Sequence, residues 1–270
     1  MIIDGRAIAN DIKEQLKKEV KGRTVAPTLF IFSVGENTVS EKFLAIKKKF
    51  ASDIGVLVVE KKFNNINTAE LSKEISSIGK QANCGIIVQL PLPKDIEKQT
   101  VLNSIPPTHD VDVLSEESFK LYKDGHLEIL PPVIGAIKEI LFRHNIFVGN
   151  KNVMIVGKGK LVGEPAAIWF ERHQGIVHVI DTKTKDPKTM LQNADIIVSG
   201  AGRPHFIKLD MIKEGVVILD AGTSEEGGKI AGDADPLCAK RALLFTPVPG
   251  GIGPVTVAML FKNLLELTKN

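Results

Sequence analysis

Glycines at 157, 159 and 163 follow directly on the apolar run 153–156, and residues 166–173 have helical spacing. A buried strand, a bare turn and a helix, in that order, present free backbone amides and a helix N-terminus to a pyrophosphate. The spacing G-x-G-x-x-x-G is one residue longer than the usual dinucleotide fingerprint, and a tight connection would use the same glycines. Residues 177–180 read as the next strand and Asp181 ends it. An acid about 20 residues past the glycines is where a ribose-binding carboxylate belongs.

A second group lies near the N-terminus. Ser40, Phe43 and Lys47 fall at i, i+3 and i+7, hence on one helix face. A polar, aromatic and cationic face just past a strand points to the crevice where open α/β sheets bind ligands. The run Lys47-Lys48-Lys49 also reads as a solvated face beside a core Phe. Gln89 is a lone polar residue closing the apolar strand 85–90, ahead of Pro91 and Pro93. A buried amide needs partners, so Gln89 is either satisfied by nearby backbone or aimed at a ligand or at Lys47. Asp110 and Asp112 stand in a proline-bounded loop, as turn formers or as ligand groups.

The elements that position these residues alternate. Ile8, Ile12, Leu16 and Val20 give an amphipathic first helix, and 28–34 is a buried strand. Thr38 to Glu41 has capping-box spacing. Strands follow at 55–59 and 85–90, with helices at 68–81 and 96–102. A helix over 135–145 crosses between domains. Asp186-Pro187 caps a helix to residue 193. Strands at 195–199 and 216–219 end in small residues, where backbone can approach a flat ring or a ribose. The loop 246–254 interleaves prolines and glycines, and the last helix spans 255–267. The class is α/β with parallel sheets.

At 270 residues the chain buries a sizeable core as one large or two medium domains. Its formal charge of +3 comes from scattered lysines, which argues against nucleic acid as a partner. Cys84 and Cys238 lack CxxC spacing and fit buried thiols in a reducing compartment. No signal pattern or long apolar run appears, so a cytoplasmic protein without a membrane anchor is expected, and no metal site is visible.

Taken in order, several stretches resemble the bifunctional methylenetetrahydrofolate dehydrogenase/cyclohydrolase family. They are Val34-Gly35 with Ser40-x-x-Phe43-x-x-x-Lys47, Val88-Gln89-Leu90-Pro91-Leu92-Pro93, Asp110-Val111-Asp112, the glycine turn 157–165, Gly232-Asp233 and the loop 246–254. The resemblance implies a two-domain cleft. An N-terminal α/β folate domain, completed by the C-terminal helix, would span 1–134 and 255–270. A Rossmann-like NAD(P)-binding domain would span 135–254. Lys47 takes the place of the catalytic lysine, Gln89 of its partner and Asp112 of the pterin-holding acid. Ser40, Phe43, Pro249, Gly250 and Gly251 fall at substrate positions. Cofactor positions are Gly157, Lys158, Gly159, Val162 and Gly163 in the turn, Asp181, Thr182 and Lys183 after the next strand, and Gly200, Ala201, Gly222, Thr223 and Ile252 beyond. The resemblance also implies a homodimer.

The family's chemistry suits these residue types. Dehydrogenation moves a hydride from the methylene carbon of 5,10-methylenetetrahydrofolate to the nicotinamide, leaving a cationic methenyl bridge. A cation beside Lys47 favours its neutral amine, which can help water attack the methenyl carbon to give 10-formyltetrahydrofolate. Gln89 orients the lysine without adding charge, and Asp112 offers acceptors to pterin N–H groups.

Some residues depart from the family pattern. Phe43 stands where tyrosine is usual, which raises the alternative of a dehydrogenase with weak cyclohydrolase activity. His109 replaces a lysine and Val113 a glycine, and 130–133 differs from the family's Pro-Cys-Thr-Pro. Gly159 replaces a serine and Lys158 an arginine. Lys158 and Lys183 supply positive charge for NADP, whereas Asp181 favours the free ribose hydroxyl of NAD. Cations outnumber the acid, so NADP is expected, with NAD as the alternative. Two rival readings are another two-domain dehydrogenase with a shikimate-like or amino-acid substrate, and a nucleotide-sensing protein without turnover.

Overall fold

The computed structural model describes residues 1–35 and 38–269, apart from the side chains of 38–40 and 229. The first elements are α1 (Gly5–Lys21), β1 (Thr28–Val34), α2 (Thr38–Ile54), β2 (Leu57–Phe63), α3 (Thr68–Ile78), β3 (Cys84–Val88), α4 (Lys98–Leu102) and α5 (Glu116–Asp124). Next come α6 (Pro132–Arg143), β4 (Asn152–Val156), α7 (Gly163–Arg172), β5 (Ile176–Ile180), α8 (Pro187–Gln192) and β6 (Ile196–Ser199). The chain closes with β7 (Val217–Asp220), β8 (Ser224–Glu226), β9 (Lys229–Ala231), β10 (Leu244–Phe245) and α9 (Ile252–Leu267). The capping box read over 38–41 lies outside the described residues.

Two compact units form. The first comprises Asn10–Pro132 with the chain from Val257 onward; the second comprises Met1–Ala9 with Val133–Thr256. The first nine residues join the second unit through backbone. The amide of Ile3 donates to Phe245 O at 2.9 Å, that of Phe245 to Met1 O at 2.9 Å, and that of Gly5 to Gly250 O at 2.9 Å.

The first unit carries a parallel sheet in the order β2-β1-β3. β1 is apolar because it lies between two neighbours, and Leu29, Ile31 and Phe32 are fully buried. Phe30, Ile86, Leu71 and Ile75 build the core between this sheet and α3. Asn67 caps α3, accepting from the Glu70 amide at 2.9 Å while Glu70 accepts from the Asn67 amide at 3.3 Å. The chain from Val257 onward packs against this unit. Phe261 stacks on Phe50 with centroids 5.1 Å apart. A side chain at Gly85 would lie 2.7 Å from Leu264 Cδ1 and 2.6 Å from Val111 Cγ1, so glycine permits the close approach.

The second unit has a five-stranded parallel sheet in the order β10-β7-β6-β4-β5. β4 is followed in sequence by a strand on one side and next by one on the other, so the ends of β4 and β6 flank a topological switch point, the usual ligand crevice of such sheets. Asp186 caps α8 by accepting from the Thr189 amide at 3.1 Å, with Pro187 in the first turn. Cys84 and Cys238 are free and buried, and burial raises both thiol pKa values. Among the described residues, no helix is long and apolar enough to cross a membrane, and no cluster of three or more His, Cys, Asp or Glu could hold a metal ion.

Candidate active site

Three consecutive lysines on α2 go three ways. Lys48 pairs with Glu60, and Lys49 reaches Asp53 at 3.7 Å. Lys47 is half-buried, and its Nζ donates to Gln89 Oε1 at 3.1 Å. Gln89 lies one residue beyond β3. Its amide N–H donates to Phe32 O at 2.8 Å, and its Nε2 donates to Leu90 O at 3.1 Å. Both readings of this residue hold together, because backbone bonds fix the amide and its oxygen is left for the lysine. An acceptor serves ammonium and neutral amine alike, and the neutral amine keeps its lone pair for another proton. Phe43 is not a core ring, being 36% exposed on the same helix. The side chain of Ser40 lies outside the described residues.

Electrostatics tie Asp112 to this pair. Burial lowers the Lys47 pKa, and the charge of Asp112 works the other way. The Asp112 carboxyl is pushed up to about 6, first by burial, with Lys47 opposing and Asp110 adding to the rise. The two Asp residues of the motif divide the work. Asp110 is fully buried and accepts from the amides of Leu114 at 3.0 Å and Ser115 at 2.8 Å, closing the loop around Val113. Val113 has φ +58°, a left-handed conformation costly for a β-branched residue, and this is where the family pattern has glycine. Its side chain is buried, which offsets part of that strain. Asn263, on α9, was not evident in the sequence. Its amide nitrogen donates to Val111 O at 2.9 Å and Leu130 O at 2.8 Å, anchoring the residue before Asp112.

In the second unit the glycine turn is built by close approach. Gly157 has φ +96°, and a side chain there would lie 3.1 Å from Ala201 Cα. A side chain at Gly163 would drive into the Gly157 carbonyl, and one at Gly200 would reach 2.5 Å from Val162 Cβ. Gly159 has open space around it, so the serine usual in the family would fit. Val162 precedes α7 and offers no side-chain cap. A bare cradle and an uncapped helix N-terminus fit a dinucleotide pyrophosphate.

Lys158 and Asp181 are paired, Nζ to Oδ2 at 2.9 Å, and the Lys183 amide donates to Asp181 at 2.9 Å. These bonds hold the Asp181 carboxyl below the usual carboxylate range, the Lys158 bond first. Thr182 and Thr223 are exposed, Gly222 is buried just past β7, and Ile252 is buried at the start of α9. Pro249, Gly250 and Gly251 belong to the second unit, and Gly250 has φ +108°. The candidate residues thus form two groups, Lys47, Gln89 and Asp112 in one unit and the glycine-turn set in the other.

Residues 3–112 match the family profile "Tetrahydrofolate dehydrogenase/cyclohydrolase, catalytic domain", and residues 131–270 match "Tetrahydrofolate dehydrogenase/cyclohydrolase, NAD(P)-binding domain". The chain belongs to this family. It is 34% identical to the Bifunctional protein FolD 2 of Lactobacillus johnsonii over 99% of this chain and 97% of that one. The crystal structure of the bifunctional FolD enzyme from Campylobacter jejuni is 34% identical, with TM-score 0.95, covering 100% of this chain and 99% of that one. The Trypanosoma brucei dehydrogenase-cyclohydrolase, solved with NADP and an inhibitor, is 31% identical with TM-score 0.93 over 99% and 97%.

The tetrahydrofolate dehydrogenase/cyclohydrolase is a bifunctional enzyme of one-carbon folate metabolism. It oxidises 5,10-methylenetetrahydrofolate to the methenyl form and hydrolyses that to 10-formyltetrahydrofolate. The comparisons do not favour a dehydrogenase-only enzyme or a sensor without turnover.

Proposed function

We propose that the first unit binds the folate, with Lys47 as the proton-handling amine, Gln89 as its positioning partner and Asp112 as the pterin anchor. The observation that supports this most is the 3.1 Å bond from Lys47 to Gln89, made by a lysine whose pKa burial has lowered. In the hydrolytic step, water oxygen bonds to the methenyl carbon and one water proton passes to Lys47 Nζ. The adduct's hydroxyl then loses its proton, N5 gains one, and the C–N5 bond breaks to leave the N10-formyl group. One proton is released overall, and Lys47 returns it to solvent. Gln89 accepts from the amine throughout, so the lone pair stays turned away from it toward the water. Phe43 and Ser40 shape the folate site of this unit.

The second unit binds the dinucleotide at Gly157–Gly163, with Gly200, Ala201, Gly222, Thr223 and Ile252 around the rest of it. When bound, the nicotinamide accepts the hydride from the methylene carbon. NADP is the preferred form: Lys158 and Lys183 face a single acid, and the related T. brucei enzyme was solved with NADP. The reading extends to a cytoplasmic homodimer. Two free buried thiols suit a reducing compartment. β5 is an edge of the five-stranded sheet, and its outer side offers backbone groups to a second copy. Substituting Lys47 by Met tests the residue roles. Methenyl hydrolysis should fail while NADP reduction persists; equal retention of both activities would contradict the assignment.

A further inference from the structure

We infer that Asp233 is a positioning residue for the dinucleotide site, acting through the backbone of the two loops it joins. The inference rests on the proposed placement of the dinucleotide at those loops. Asp233 is fully buried. Its Oδ2 accepts from Ser199 Oγ at 2.6 Å and from the Ala201 amide at 2.7 Å, and its Oδ1 accepts from the Arg203 amide at 2.6 Å. One carboxylate therefore gathers the end of β6 and the loop that leaves it. The same carboxylate fills the space a side chain at Gly222 would need, just beyond β7.

The arrangement is reciprocal. Gly232, directly before Asp233, is bare against the carboxylate of Asp220, which accepts from the Gly222 amide at 2.9 Å and the Ala234 amide at 2.8 Å. Each strand exit is thus locked by an acid whose neighbour cannot carry a side chain.

The lock reaches the phosphate turn. Ala201, held by Asp233, is the residue a side chain at Gly157 would strike, and Gly200 packs against Val162 at the head of α7. A small shift of the 200–203 loop therefore displaces the amides that would meet the pyrophosphate. Among the described residues, the hydrogen-bond partners of the Asp233 carboxyl are two backbone amides and one hydroxyl. These bonds aim the loop.

The test compares the two activities of one enzyme, since hydrolysis of added methenyltetrahydrofolate needs no dinucleotide. Asp233→Asn keeps the size but turns one acceptor into a donor facing N–H or O–H donors. It should raise the NADP KM and the NADPH Kd about tenfold or more, because small misplacements of binding groups are costly. Cyclohydrolase kcat should stay within about twofold of wild type. Ser199→Ala removes one donor, leaves the acid in place, and should raise the NADP KM about threefold, as one hydrogen bond is worth roughly that much. If Asp233→Asn does not fold, Ser199→Ala decides by the same comparison. Unchanged cofactor KM in a folded variant, or equal loss of both activities, would overturn the inference. A wild-type enzyme that binds neither NADPH nor NADH would instead overturn the placement of the dinucleotide on which it rests.

Discussion

Lys47 Nζ lies 3.1 Å from Gln89 Oε1, on an amide whose nitrogen is already committed to the carbonyl of Leu90. The lysine is held by an acceptor that carries no charge and cannot rotate away without losing a backbone bond. Proton transfer at Nζ therefore changes the charge of the site without dismantling it.

Lys47→Met separates function from stability. A lysine whose folded pKa is lowered binds fewer protons folded than unfolded, so it costs stability below its ordinary value of 10.5. Removing it at neutral pH should therefore raise Tm. Methenyl hydrolysis should fall by about 10²–10⁴-fold, the usual share of general acid–base catalysis. Calorimetry and steady-state rates on the same preparation check both.

Asp112→Asn shifts the pH dependence in a fixed direction. The negative charge of Asp112 raises the Lys47 pKa, so its removal should move the lysine-dependent limb of the cyclohydrolase profile to lower pH. Stability has its own signature. Asp112 and Asp220 are both pushed up to about 6 from 3.8. Each therefore favours the folded state below pH 3.8 and loses that contribution as pH rises through about 6. Between those values, Asp112→Asn should show a shallower fall of Tm with pH than wild type.

Asn263→Ala should unfold at lower urea, because it orphans the buried carbonyl of Val111 and the partly buried carbonyl of Leu130. The loss should be on the order of 2–6 kcal/mol, about 1–3 for each stranded acceptor. The folate KM should rise more than the NADP KM, since Val111 precedes Asp112.

Legibility followed sequence distance. The strand 28–34 and the turn after 156 were readable because their signals are local: an apolar run, then glycines. β2 was expected at 55–59 but spans Leu57–Phe63, since an edge strand with charged residues at 60–62 hides its period. Helix α9 begins at Ile252 rather than 255, because Pro254 fits a first helical turn. α5 was missed although Ser115 caps it and Gly125, at φ +80°, ends it; both cues were available. β8, β9 and β10 are too short to show a pattern. Lys47, Gln89 and Asp112 were singled out through the family resemblance of their motifs, and the structure brings Lys47 and Gln89 into one hydrogen bond. Asn263 bonds backbone 133 and 152 residues away, Asp233 bonds backbone 30 and 32 residues away and a hydroxyl 34 away, and no local signal marks such partners.

The glycine turn should discriminate between positions. Gly159→Ser has open space and should leave the NADP KM within about twofold, as an unhindered surface change usually does. Gly163→Ala drives a methyl into the Gly157 carbonyl and should raise that KM by about 10²-fold through misplacement of the turn. Cofactor titrations of the two variants decide it.

Phe43→Tyr should change cyclohydrolase turnover by less than about threefold, since Lys47 already has its hydrogen-bond partner in Gln89 and the added hydroxyl gains at most one more. Turnover of the methenyl substrate by both proteins provides the check.

The most direct measurement gives purified enzyme 5,10-methylenetetrahydrofolate with NADP, and separately with NAD, while following reduced nicotinamide and the methenyl chromophore together. Reduced cofactor should appear, faster with NADP, and the methenyl signal should decay faster than its uncatalysed hydrolysis in wild type but not in Lys47→Met. No reduction with either cofactor, or methenyl decay that Lys47→Met leaves unchanged, would contradict the account.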